Sequence, residues 1–260
     1  MTIIESIILG IVQGIAELLP ISSSAHLTIT AWLFNIESTK AFDVALHFGT
    51  LLAIGIFFFK DWIKLIVAGF KNVKGEKTKE GNLFWYIVIA TIPGGIIGFL
   101  LEHFTEDFFR ESFLIIGFAL IIMGIILYIA DKKSKSEVNY ENLTLKQTFI
   151  IGVSQALAFI PGVSRSGVTL TTGRLLKVDK ESAAKFSFML SAPIVLGATI
   201  FKLKDFVFDI PFAIGILTSF IVGILVIKFF LNYLKKGSLK VFAIYRVIIG
   251  TIVIIMTFIK

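Results

Sequence analysis

Residues 113–130 carry no charged side chain, and neither do residues 84–101. Runs of that length approach what a helix needs to cross a hydrocarbon core about 30 Å thick, and they lack the polar stripe of a helix lying on a soluble core. Lipid offers no hydrogen bonds to the backbone, so such a run must satisfy its own N–H and C=O groups within a helix. Further apolar stretches lie at 41–59, 183–201, 210–231 and 241–259. The sequence therefore predicts an all-α integral membrane protein, one polytopic domain over 1–260 with about six transmembrane helices.

The net charge is +7, but the lysines sit between the apolar runs, which reads as membrane topology and not as a nucleic-acid surface. Loops at 60–82, 131–146 and 232–240 hold thirteen Lys and Arg, against four in those at 35–40, 102–112 and 202–209. The richer set is expected in the cytoplasm. Residues 61–70 predict a short interfacial helix, and the acidic stretch with Glu102, Glu106, Asp107 and Glu111 reads as a connecting loop. The chain has no cysteine, which excludes disulfides and thiolate metal sites. With no basic start, and with Glu5 and Glu17 inside its first apolar stretch, the N-terminus does not read as a signal peptide.

Two stretches do not fit a simple span. Residues 3–19 end at Pro20 and residues 145–160 end at Pro161; each enters a Ser-rich loop and continues as a short apolar piece, to about 34 and 176. No single piece reaches the ~20 residues that a span needs, so each pair predicts a re-entrant, broken helical hairpin. The segment from Gly10 to Pro20 also resembles that from Gly152 to Pro161, with one residue of slippage, and each is followed by three spans. An odd number of spans turns the second copy upside down. The expected architecture is an inverted repeat over about 1–130 and 145–260, with hairpins at about 3–34 and 145–176 meeting near the midplane.

The candidate chemistry lies in these hairpins. Arg165, with Ser164, Ser166 and Thr169 around it, is a set of anion-binding parts in a place where a guanidinium costs at least ~2.5–3.5 kcal/mol to insert. Gln13 and Glu17 are four apart and share a helix face, either as packing or as a metal-binding edge. Ser23 and His26 read as a nucleophile–base pair or as a helix cap with one satisfied histidine. Asp43 and His47 read as a structural polar contact lining the cavity. Arg174, Asp179, Lys180 and Glu181 read as an interfacial charge cluster, and Arg246 as a snorkelling or lipid-phosphate contact.

Gln13, Glu17 and Pro20-Ile21-Ser22-Ser23-Ser24-Ala25-His26, followed by Pro161-Gly162-Val163-Ser164-Arg165-Ser166-Gly167-Val168-Thr169, resemble the undecaprenyl-diphosphate phosphatase family of the bacitracin-resistance type. The resemblance extends through Phe186-Ser187-Phe188 and Ala243-Ile244-Tyr245-Arg246, so it covers essentially the whole chain. It departs from the pattern at Gln13, where some members carry Glu, and at Ala25, where Gly is usual. The resemblance implies hydrolysis of undecaprenyl diphosphate to undecaprenyl phosphate and inorganic phosphate, recycling the carrier for peptidoglycan synthesis at an outward-facing site of the bacterial plasma membrane. It implies catalytic roles for Glu17, Ser23, His26 and Arg165, and substrate binding by Gln13, Ser22, Ser164, Ser166 and Thr169. Glu17 would hold a Mg²⁺ or Ca²⁺ cofactor. Attack by Ser23 and attack by water both remain open.

The implied partners are the polyprenyl diphosphate and membrane lipid, with no nucleic acid; a homodimer is one assembly open to such a chain. From a different class, a transporter or flippase of undecaprenyl phosphate or a related lipid would use the same inverted repeat. An ion channel fits less well, since one Arg loop and one Glu helix do not make a selectivity ring.

Overall fold

The computed structural model of the chain describes residues 1–110, 112–207 and 209–259, with all their side chains except those of residues 99 and 101–110. Among the described residues, eleven α-helices connect in chain order. They are α1 (Ile3–Ala16), α2 (Ser23–Phe34), α3 (Lys40–Phe57), α4 (Phe59–Val73), α5 (Lys79–Arg110) and α6 (Phe113–Lys133) in the first half, then α7 (Leu145–Ser154), α8 (Arg165–Leu175), α9 (Lys180–Lys202), α10 (Ile210–Leu234) and α11 (Lys240–Ile259). Six of them are long and apolar enough to cross a membrane: α3, α5, α6, α9, α10 and α11. These are the six apolar runs of the sequence.

Some boundaries differ: α1 ends at Ala16, short of residue 19, and α7 ends at Ser154 and passes into a 3₁₀ turn at Gln155–Phe159. The acidic stretch after residue 101 was expected to be a loop, but the backbone of α5 stays helical to Arg110. No Gly or Pro follows Gly98 there, and acidic residues alone do not terminate a helix. Glu111 lies outside the described residues. The expected interfacial helix is α4, slightly longer than 61–70, with Phe59, Ile63, Ile66, Val67, Phe70 and Val73 as an exposed apolar stripe.

The four short helices come in two pairs, α1 with α2 and α7 with α8. At 14, 12, 10 and 11 residues, none exceeds about 21 Å at 1.5 Å per residue, so none can span alone. Both pairs begin with a capping box, Thr2 with Glu5 and Thr144 with Gln147. Packing between the halves is exchanged. The first half's α1 lies on the second half's α10, while α7 lies on α5; α3 packs against both α9 and α10, and α6 against α11. The α6–α11 contact is backbone to backbone: a Cβ on Gly250 would sit 2.6 Å from the carbonyl of Gly117.

Helix α9 carries the densest part of the core. Phe186, Met189 and Leu190 are fully buried against Ala16, Leu18 and Ile21 at the end of the first short helix and Leu127 of α6. Arg174 and Lys180 do share one carboxylate, Asp131, at 3.4 and 3.7 Å, and within that charge cluster Arg174 is a buried latch. Its guanidinium donates to the carbonyls of Val178 (2.6 Å) and Ser134 (3.0 Å) and to Ser136 Oγ (3.1 Å), and it faces Asp131 at 3.4 Å. Asp179 caps α9 by accepting from the Ser182 N–H at 2.9 Å, and Lys180 donates to the Gly237 carbonyl at 2.9 Å. These bonds fix the connections on that side of the bundle and leave the chemistry to the opposite ends of the short helices.

Candidate active site

Both short-helix pairs are interrupted in the same way. The first helix ends, the chain turns through a serine with positive φ, and the second helix starts at the next residue. Ser22 has φ 79° and Ser164 has φ 74°. Serine rarely adopts such a backbone, which costs on the order of 1–3 kcal/mol and persists only where surroundings enforce it. The strained turns bring Ser23 and Arg165 to the first position of α2 and α8 respectively.

Glu17 stands at the C-terminus of α1, 6% exposed, and is the centre of the site. Its Oε1 is paired with Arg165 Nη2, although the two residues are 148 apart in sequence. Its Oε2 accepts from Ser23 Oγ at 2.5 Å and from Gln13 Nε2 at 3.2 Å. The second nitrogen group of Arg165, Nη1, donates to the Ser191 carbonyl of α9 at 3.1 Å. A carboxylate between a cation and a hydroxyl is a buried charge that is both paired and hydrogen-bonded, the condition under which such a charge is tolerated away from water.

Ser23 and His26 do not pair. His26 Nδ1 donates to the Ser22 carbonyl at 2.7 Å, because a carbonyl can only accept, and Nε2 meets the Tyr245 hydroxyl at 2.8 Å, with the rings stacked at 5.6 Å. Both ring nitrogens are thus committed, and the hydroxyl of Ser23 goes to the carboxylate instead. His26 is bonded to the strained turn, and the Glu17 carboxylate is the group within hydrogen-bond reach of Ser23.

His47 reaches further than expected. Its Nδ1 does contact Asp43, through the backbone carbonyl at 2.7 Å, but Nε2 lies 3.3 Å from Glu17 Oε2. The i, i+4 spacing on α3 revealed the local bond and carried no information about the helix facing it. The ring is 28% exposed and Arg165 17% exposed, against 5% for the Glu17 side chain, so His47 and Arg165 form the accessible rim of the site.

The hydroxyls around Arg165 are more committed than the sequence suggested. Ser164 Oγ accepts from the Gly167 N–H at 3.0 Å, Ser166 Oγ donates to the Leu19 carbonyl at 3.0 Å, and Thr169 Oγ1 donates to the Arg165 carbonyl at 2.8 Å and meets Ser187 Oγ at 2.7 Å. All three residues are buried, as is Ser22. They shape the loop and tie it to the first break. The groups left to meet an anion are the guanidinium of Arg165 and the first-turn N–H groups of α2, which has no side-chain cap.

Arg246 of α11 does not snorkel. It is fully buried and donates to backbone carbonyls alone: Leu120 at 3.3 Å, Pro20 at 3.0 Å, Gly162 at 2.7 Å and Val163 at 3.0 Å. Among the described residues no carboxylate pairs with it.

For a divalent ion the relevant donors are few. Gln13 Oε1 is buried without a hydrogen-bond partner, on the side chain whose amide nitrogen donates to the Glu17 carboxylate. Hard oxygen donors of this kind suit Mg²⁺ when it takes its other ligands from substrate phosphates. Among the described residues there is no group of three or more His, Asp or Glu that would cage an ion by itself. The donors fit an ion shared with the substrate.

Fold and site together define a multi-pass α-helical membrane protein with a buried carboxylate–hydroxyl–guanidinium constellation at the junction of two broken helices. The comparisons give the family. The description "Bacitracin resistance protein BacA" matches residues 6–252, and this chain belongs to that family. It is 47% identical over 260 residues to the undecaprenyl-diphosphatase of Caldicellulosiruptor bescii, covering 98% of this chain and 97% of the relative. The undecaprenyl-diphosphatase of Pelotomaculum thermopropionicum is 46% identical, with the same coverage of both chains, and that of Elusimicrobium minutum 42% identical over the full length of both.

Proposed function

We propose that this protein hydrolyses undecaprenyl diphosphate to undecaprenyl phosphate and inorganic phosphate, recycling the lipid carrier for cell-wall synthesis. The observation that carries the mechanism is the 2.5 Å hydrogen bond from Ser23 to Glu17, whose other oxygen is paired with Arg165 from the opposite break. Phosphoryl transfer depends mainly on positioning and on stabilising charge at the transferred group. Arg165 uses two of its donors on Glu17 and Ser191 and keeps the rest of its fork for phosphate oxygens.

Ser23 Oγ attacks the terminal phosphorus and its proton passes to Glu17 Oε2. The bond from that phosphorus to the bridging oxygen breaks, and undecaprenyl phosphate leaves with the charge held by Arg165. Glu17 passes that proton to the departing undecaprenyl phosphate and is a carboxylate again; water then attacks the phosphoserine, Glu17 takes a proton from it, the P–Oγ bond breaks, and Glu17 returns the proton to Ser23 Oγ as inorganic phosphate departs. His26 keeps the Ser22 carbonyl, and with it the start of α2, in register. Gln13 Oε1 and Glu17 would hold a Mg²⁺ or Ca²⁺ ion, which would offset charge on the phosphate oxygens.

The two short-helix pairs are re-entrant hairpins of an inverted repeat, a reading supported by their length and by the exchanged packing of α1 on α10 and α7 on α5. The lysine-rich loops at 60–82, 131–146 and 232–240 support a cytoplasmic side for themselves and, with it, a site that opens outward from a bacterial plasma membrane. The same exchanged packing is the observation behind the alternative, a carrier of undecaprenyl phosphate.

Phosphate release from undecaprenyl diphosphate by detergent-purified protein decides between them, with Arg165→Ala and a chelator arm alongside. Loss of the guanidinium should lower turnover by ~10³ or more, the scale seen when an arginine at a transferring phosphoryl group is removed. Chelation should suppress release; chelator-insensitive turnover removes the ion from the scheme. Folded wild-type protein that binds the lipid and releases no phosphate assigns the site to transport.

A further inference from the structure

The interruption of two helices leaves backbone carbonyls that no helix can satisfy. Pro20 in the first break and Gly162 and Val163 in the second are such carbonyls, and an unsatisfied one in this setting is strongly unfavourable. All three accept from one side chain, Arg246, which also holds the Leu120 carbonyl of α6. The guanidinium is the side chain with enough donors in a fixed fork to serve four acceptors at once. It sits there as a fully buried cation with no carboxylate partner among the described residues, an arrangement that simple packing would not select.

We infer that Arg246 is a positioning residue of the active site, a clamp that holds the two breaks in register so that Arg165 of one meets Glu17 and Ser23 of the other. The inference rests on the phosphatase reading for its kinetic consequence but not for its geometry. Nη1 holds the first break through Pro20, while Nη2 holds the second through Gly162 and Val163. The two ends of one planar group therefore fix the distance between the two halves of the site. Ser166 provides a lighter cross-tie of the same sense, donating to Leu19 at 3.0 Å. The adjacent Tyr245 bonds His26 at 2.8 Å, so consecutive residues of α11 reach both the carbonyls and the orienting histidine.

A second handle on the clamp is Gly167. A Cβ there would stand 2.9 Å from Arg246 Nη1, and 3.0 Å from Ser164 Cβ. Gly167→Ala therefore presses on the atom that holds Pro20 without removing any charged group. Arg246→Lys keeps the charge and loses the fork.

The test compares wild type, Arg246→Lys and Gly167→Ala in detergent by thermal unfolding, by kcat and KM for phosphate release from undecaprenyl diphosphate, and by backbone hydrogen exchange read by mass spectrometry. The clamp predicts folded variants in which kcat falls about 100-fold for Arg246→Lys and about tenfold for Gly167→Ala, with KM within threefold of wild type. It also predicts faster exchange in peptides covering both breaks, with α6 and α9 unchanged. A kcat within threefold of wild type in folded Arg246→Lys overturns the inference, as does a rise confined to KM, which would make Arg246 a substrate-binding charge. If Arg246→Lys fails to fold, Gly167→Ala decides by the same readouts. If wild type releases no phosphate, the phosphatase reading fails, and exchange in the two breaks still decides the clamp: no change there overturns it.

Discussion

At the first break the chain leaves α1 at Ala16, turns through Ser22 at φ 79° and starts α2 at Ser23; at the second it leaves a short 3₁₀ turn at Phe159, turns through Ser164 at φ 74° and starts α8 at Arg165. Aligned on the two strained serines, Gln13 matches Gln155, Glu17 matches Phe159, and Ser23 matches Arg165. The backbone solution is shared, while the reactive groups are divided: acid and hydroxyl on one side, guanidinium on the other. Two identical copies would put like charges face to face, with the repulsion that implies in a low-dielectric site. The different groups at these matched positions make the junction a complementary pair.

The sharpest way to break this comparison is to remove the nucleophile from the first break. Ser23→Ala should lower phosphate release by on the order of 10⁴, because the remaining groups bind without completing the covalent step; a loss below tenfold in folded protein would rule out serine attack. Glu17→Gln comes next, with an expected loss of ~10³ from removing the base while keeping a hydrogen-bonding side chain of the same shape. Trapping of ³²P-phosphoserine after rapid quench would separate the two variants. Glu17→Gln should form it slowly, and Ser23→Ala not at all.

The matched glutamines give the smallest and most discriminating effect. Gln13 and Gln155 are both buried with an unpartnered amide oxygen, but only Gln13 adjoins Glu17. Gln13→Leu should cost about tenfold in turnover, within the range for displacing a supporting group next to metal or base. Gln155→Leu should leave turnover within twofold, since replacing a poorly satisfied polar group by an apolar one of similar size is near neutral. Equal losses at the two positions would mean that Gln155 supports the site as Gln13 does.

Much of the scaffold was legible because lipid imposes a one-dimensional rule. An apolar run of sufficient length must be a helix, and a proline followed by serines must interrupt one, so the six spans and both breaks followed from the residues alone. The Gln13–Glu17 bond was legible for a related reason, as a contact within one turn of one helix. The extension of α5 to Arg110 escaped because acidic residues were read as a loop signal where nothing in the sequence stops a helix.

What the sequence by itself determined, then, is the set of helices, their interruptions and the kinds of group placed at each interruption. Tertiary structure alone decided which groups meet. Ser23 had a histidine three residues away and found a carboxylate six residues back, because the strained turn at Ser22 points the start of α2 at the end of α1. His47 found Glu17 across a helix interface, and Arg246 found a carbonyl 226 residues distant. The physical reason is that a buried charge or hydroxyl takes whichever partner the packing delivers within about 3 Å. Helix periodicity specifies the face of each helix and not the neighbour it is laid against.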